Sequence, residues 1–362
     1  MNNNAYYPAL DGARGIAAIA VFIYHLSDYF GGIDWLQSSF LAVDMFFLMS
    51  GFVIALSYEQ SLLNGTRSIK SFVLARALRL YPLYLMACCI GAGYFFIKYL
   101  TGAEGSPTLL QMLTALPAAL LLAPWPSAAE WGFTPYPFAP SAWSLSLEFW
   151  YNILYALVAV HLRTRALLAI SAVSSAALLH QASHWGSLDM GWSIATMIGG
   201  TARFWFSFSL GILIFRHRAK FLKKTRIFSY FSIACFAFVA LPRESIALSM
   251  FWVSIVFPLA LMGGAAYQFK GLAAVFCKHL GRLSYGIYIL HTPIIIFQTG
   301  ALKAILGDAW ENHKALLGFS IILTVFFASW LCTYYVDEPL RRHLKRRLAK
   351  TQNVAPAPLL VA

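Results

Sequence analysis

Apolar runs long enough to cross a bilayer recur along the whole chain, at 39–57, 143–160, 192–215, 246–266 and 315–336. A helical span needs about twenty apolar residues, and no soluble core calls for so many uninterrupted stretches of that length. Composition agrees: of 362 residues, 60% are hydrophobic and only 11% charged, against about 25% in an ordinary soluble domain. In hydrocarbon every backbone polar group must be satisfied within the protein, and runs of this length do so as helices. The sequence therefore predicts an all-α integral membrane protein.

The formal net charge of +13 is not a nucleic-acid footprint, because the basic residues collect in short loops between spans. With a cytoplasmic N-terminus, one side holds Arg67, Lys70, Arg76 and Arg79, then Arg163 and Arg165. It also holds the basic run from Arg216 to Arg226, then Lys270, Lys278 and Arg282, and the tail from Arg341 to Lys350. The other side holds only Lys98, Arg243, Lys303 and Lys314. Residues 108–123 are apolar but contain Pro117 and have no basic flank. Counted as a span they would invert every later basic loop, so they read as one re-entrant or interfacial segment. The expectation is about ten transmembrane helices with both termini cytoplasmic: 14–30, 39–57, 76–98, 143–160, 166–181, 192–215, 227–241, 246–266, 282–300 and 315–336. Residues 1–340 form one transmembrane domain and 341–362 a basic cytoplasmic tail. The first run lacks the basic flank and cleavage site of a signal peptide and reads as a retained span. Cys88, Cys89, Cys235, Cys277 and Cys332 lack metal-site spacing and read as buried thiols, and no metal is expected.

A charge inside a span costs at least about 2.5–3.5 kcal/mol, so each one is a functional candidate. At about 1.5 Å per residue, His25 lies in the outer half of the first span. Asp44 and Glu148, each a few residues inside a span that runs inward, fall at a similar depth. Their convergence suggests a base with two carboxylates able to orient it. At the opposite level Arg14, Arg76 and Arg79 could bind phosphate bidentately, with Asp11 pairing to Arg14. Arg203 and His291 lie deep in later spans and are expected to line the same cavity. Trp125, Trp131, Trp185 and Trp310 fit interfacial anchoring.

Several motifs occur in order along the chain. Leu10-Asp11-Gly12-Ala13-Arg14-Gly15 is followed by His25, and Asp44-Met45-Phe46-Phe47-Leu48-Met49-Ser50-Gly51-Phe52 comes next. Then come Arg76-Ala77-Leu78-Arg79-Leu80-Tyr81-Pro82 and Trp143-Ser144-Leu145-Ser146-Leu147-Glu148. The last are Ser284-Tyr285-Gly286-Ile287-Tyr288-Ile289-Leu290-His291-Thr292-Pro293 and Glu338-Pro339. This series resembles acyltransferase family 3, the membrane-bound O-acetyltransferases of surface polysaccharides, in its stand-alone form without a fused hydrolase-like domain. Phe149 stands where that family often has a second acid, and Ala42 where it has a glycine.

The resemblance implies a bacterial inner-membrane enzyme that moves an acyl group from cytosolic acetyl-CoA or another acyl-CoA to a hydroxyl of an extracytoplasmic glycan or lipid-linked sugar. His25, Asp44 and Glu148 would be catalytic, and Arg14, Arg76 and Arg79 would hold the co-substrate's phosphates. Asp11, Ser50, Trp143, Arg203, Tyr288 and His291 are further cavity candidates. His25 would act as general base or carry the acyl group itself. Membrane lipids are expected partners, nucleic acid and a tightly bound cofactor are not, and the oligomeric state stays open.

Other readings fit less of the sequence. A secondary transporter would also bury charges, but no internal repeat is visible. A bis-histidine haem site at His25 and His291 is another reading. The spacing from His184 to Asp189, similar to glycerolipid acyltransferases, lacks a companion motif and reads as coincidence.

Overall fold

A computed structural model of the protein describes residues 7–32, 34–132, 134–221, 245–266 and 270–352. Among these it is entirely helical. Pro8 opens α1 (Pro8–Tyr24), where its missing N–H costs nothing. The helix therefore starts and ends earlier than 14–30, and His25 caps its C-terminal end. A 3₁₀ turn (Ser27–Phe30) and a longer one (Asp34–Leu41) lead into α2 (Ala42–Ile54). After a π-turn (Ala55–Glu59) comes the short α3 (Gln60–Leu63).

Ser68 accepts a hydrogen bond from the Ser71 N–H and starts α4 (Ile69–Leu100), seven residues before the expected Arg76. Arg76 thus sits about 10 Å inside the helix rather than at its mouth. Next, α5 (Leu109–Leu120) opens with a reciprocal Thr108–Gln111 capping box. At 12 residues it is too short to cross a bilayer. It is followed by α6 (Ala142–Val158), α7 (Thr164–Trp185) and α8 (Met197–Phe221). Two short helices, α9 (Ile246–Phe251) and α10 (Phe257–Ala266), are joined by a π-turn (Trp252–Val256). The long α11 (Gly271–Leu306), α12 (Lys314–Leu331) and α13 (Glu338–Gln352) complete the chain. The basic tail is therefore helical through Gln352.

Six helical stretches among the described residues are long and apolar enough to cross a membrane. This is a multi-pass membrane protein, and six such stretches among the described residues do not confirm the count of about ten. The helices that carry Arg14 and Glu148 have 17 residues each. The expected span 227–241 lies outside the described residues. The stretch from Gly271 runs on, through a 3₁₀ turn, to Arg347 without a break. Of the described cysteines only Cys332 is buried; Cys88 and Cys277 are half-buried and Cys89 is exposed, so the reading of uniformly buried thiols fails.

Helix contacts are close because glycine lets the backbones meet, the usual device where water cannot drive association. A Cβ on Gly51 would lie 2.1 Å from the Phe208 carbonyl oxygen, and one on Gly211 2.1 Å from that of Leu48. These two contacts seat α2 on α8. On α1, a Cβ on Gly15 would lie within 3 Å of the Leu280 backbone, which fixes α1 against α11.

Candidate active site

The packing of α1 on α11 sets the first group of charges. Arg14 donates to Asp11 Oδ1 at 3.0 Å, to the Gly281 carbonyl at 3.1 Å and to Ser284 Oγ at 3.1 Å. The expected Asp11–Arg14 pair is formed, and Asp11 is buried against Gly281. Across from it, Arg76 donates to Glu148 Oε1 at 2.6 Å, and Ser50 donates to the same oxygen at 2.9 Å. These side chains line a cavity of about 120 Å³ together with Arg79, Ser144, Ser284, Tyr285 and Tyr288. Arg79 differs from its neighbours. Arg14 has Asp11, Arg76 has Glu148 and, nearby, Arg341 has Asp337. Among the described residues Arg79 forms no ion pair with a carboxylate, and it rests 5.9 Å from the centre of the Tyr285 ring.

A second cavity, of about 470 Å³, surrounds His25. The His25 Nδ1 lies 2.8 Å from the Val21 carbonyl oxygen. A carbonyl can only accept, so Nδ1 carries the proton and Nε2 keeps its lone pair. His291 is arranged in the same way: its Nδ1 donates to the Ile287 carbonyl at 3.1 Å, and its Nε2 is buried without a partner. The two rings are 5.0 Å apart, centre to centre. Trp143, Asp189, Trp192, Arg203, Tyr288 and Thr292 also line this cavity.

Three expectations about the site need correction. Asp44 does not reach His25; it takes the Arg203 guanidinium in a fully buried pair, at 2.6 Å from Nη2 and 3.2 Å from Nε. Arg203 also donates to the Met190 carbonyl at 2.8 Å and the Phe40 carbonyl at 2.9 Å. Four of its five N–H donors are thus committed, and they hold α2 and the 186–196 connection onto α8. Glu148 does not reach His25 either, because it faces the arginine cavity. The depth argument placed Arg76 and Glu148 at opposite levels, whereas α4 starts early enough to bring Arg76 in to meet it. Nor is Arg76 a free cation, since it already has Glu148; Arg14 holds the Asp11 expected for it.

Asp189, set aside in the sequence as one end of the His184–Asp189 spacing, lines the chamber beside His25. It comes from the connection between α7 and α8 and receives the Tyr24 hydroxyl at 3.5 Å. The sequence signal was slight: an acid between Leu188 and Met190, both of which are buried. His184 takes no part; it is exposed on α7 beside Trp185.

The two cavities share a wall. Tyr288 lines both, and its hydroxyl is 2.6 Å from Ser144 Oγ. A second bond, Ser141 Oγ to Thr292 Oγ1 at 3.1 Å, fastens the same two helices one turn further along. The Trp-Ser-Leu segment of α6 and the Ser-Tyr…His segment of α11 therefore meet at this partition.

Residues 7–334 match the family described as the acyltransferase domain, the match that decides the family. The chain belongs to acyltransferase family 3. Protein 2 in the picA locus of Rhizobium radiobacter is 35% identical over 183 residues, which cover 49% of this chain and 94% of that protein. The peptidoglycan O-acetyltransferase OatA of Listeria monocytogenes is 24% identical over 389 residues, covering 93% of this chain and 56% of that protein. The match thus spans little more than half the length of the Listeria relative. No solved structure matches the chain.

Proposed function

We propose that this family 3 acyltransferase takes an acyl group, in the simplest case acetyl, from acyl-CoA and passes it to a glycan hydroxyl. The observation that carries the reading is the pair of cavities on either side of Tyr288. One contains a cation with no carboxylate ion pair among the described residues, and the other an imidazole whose Nε2 keeps its lone pair. Arg79 suits a phosphate because its planar fork can make two parallel bonds. Arg14 and Arg76, already neutralised, shape that cavity and hold Arg79's surroundings in place. The name of the Listeria relative supports acetyl as the group and an O–H as the acceptor.

In the transfer step, the acceptor hydroxyl gives its proton to His25 Nε2 while its oxygen attacks the thioester carbonyl. The C–S bond then breaks and the CoA thiolate leaves, taking up a proton from the imidazolium or from water. Ring orientation comes from the Val21 carbonyl rather than from a carboxylate, and Asp189 favours the imidazolium as it forms. The thioester has to pass the Tyr288–Ser144 partition to reach this point. On this reading the arginine cavity faces the cytoplasm and the His25 cavity the outer side of a bacterial inner membrane, and the distribution of basic loops supports it.

The test uses purified protein in lipid nanodiscs with acetyl-CoA labelled in its acetyl group. Transfer of label to a surface-glycan extract, with release of free CoA, is the expected result. Transport of an unmodified solute with no ester formed would favour a transporter instead.

A further inference from the structure

The chamber around His25 carries more information than the position of a base. His291 is fully buried, and its Nε2 has no hydrogen-bond partner. With Nδ1 committed as the donor to Ile287, this nitrogen can only accept. Asp189, on the same chamber, receives one long bond from Tyr24 and forms no ion pair among the described residues. The chamber thus offers three acceptors: His25 Nε2, His291 Nε2 and the Asp189 carboxylate. Of its described lining residues Arg203 is the only Lys or Arg; its charge is paired with Asp44, and four of its five N–H donors go to Asp44, Met190 and Phe40. Trp143 and Trp192 add aromatic surface.

A site with several acceptors and no cation left unpaired among its described lining residues favours O–H groups over anions. We propose that the acceptor residue entering this chamber is an uncharged sugar that carries a free hydroxyl beside the one acylated. The reacting hydroxyl faces His25, its neighbour donates to His291 Nε2, and Asp189 accepts from a further hydroxyl or from the same one. A uronic acid, a sialic acid or a phosphorylated sugar would bring a second negative charge to Asp189, where the one lining guanidinium is already paired with Asp44. This inference rests on the acyl-transfer reading above and narrows its substrate.

Tandem mass spectrometry of surface glycans from cells with and without the gene locates the ester. The expected result is a gene-dependent ester on a neutral residue with a free adjacent hydroxyl. An ester on an anionic residue, or on a neutral one with no free neighbouring hydroxyl, overturns the proposal and leaves acyl transfer standing. No gene-dependent ester at all overturns both. With the glycan so identified as acceptor, His291→Leu should raise the acceptor KM about tenfold, the loss of one hydrogen bond, and leave the acetyl-CoA KM unchanged. His291→Gln keeps an acceptor oxygen and should lose less. An unchanged acceptor KM in folded His291→Leu contradicts the assignment, as does a failure of Asp189→Asn to admit anionic acceptors any better than wild type.

Discussion

Replacing Asp44 by Asn removes the one carboxylate that forms a salt bridge, among the described residues, with a guanidinium that is 1% exposed. The two bonds to Met190 and Phe40 persist, but they do not neutralise the charge. Breaking one side of a buried ion pair costs about 3–5 kcal/mol, because the survivor is left charged in a low-dielectric setting. Against a typical total stability of about 5–15 kcal/mol, Asp44→Asn should lower the thermal midpoint sharply and reduce the yield of folded protein. Arg203→Met should do the same by burying an unpaired carboxylate. The double variant Asp44→Leu with Arg203→Met removes both charges and should recover much of the loss, so the two effects should be strongly non-additive. The assay is fluorescence-detected unfolding of the four proteins in one detergent, with transfer activity measured on whatever remains folded. An Asp44→Asn protein with wild-type stability and no activity would refute this reasoning and return Asp44 to the chemistry.

Arg79→Ala should raise the acetyl-CoA KM by at least about tenfold through loss of charge-assisted bonds, with Arg79→Lys between it and wild type; unchanged values would make Arg79 a membrane anchor. Gly51→Val should abolish folded expression, since even a Cβ there meets the Phe208 carbonyl at 2.1 Å, and a stable, active variant would show that α2 and α8 do not pack so closely. A reporter fused after Lys224 should signal from the cytoplasm and one at Ala129 from outside, and the reverse pattern would invert the proposed placement of both cavities.

What could be read in the sequence was local. Apolar length marked the helices, and the three-residue spacing of Asp11 and Arg14 announced an ion pair on one helix face. Depth along a span could also be counted, and it brought Arg203 and His291 to the cavity of His25. What depth omits is the direction in which a side chain points around its helix. Asp44 is separated from Arg203 by 159 residues; only the glycine contacts between α2 and α8 aim one at the other. Arg76 was placed too shallow because the start of α4 is set by the Ser68 cap, which lies among polar residues and makes no hydrophobic signal. Asp189 belongs to an irregular connection, where no periodicity says which way a side chain faces.

The central claim is that His25, held by a backbone carbonyl and with Nε2 open to its chamber, removes the acceptor proton. The most direct measurement is the single-turnover transfer rate of His25→Gln beside its acetyl-CoA affinity. Glutamine can accept a hydrogen bond but cannot take up the proton, and a general base typically contributes about 10²–10⁴-fold. The account predicts a rate lower by about that factor, with acetyl-CoA affinity unchanged. A folded His25→Gln protein that transfers at the wild-type rate would contradict it.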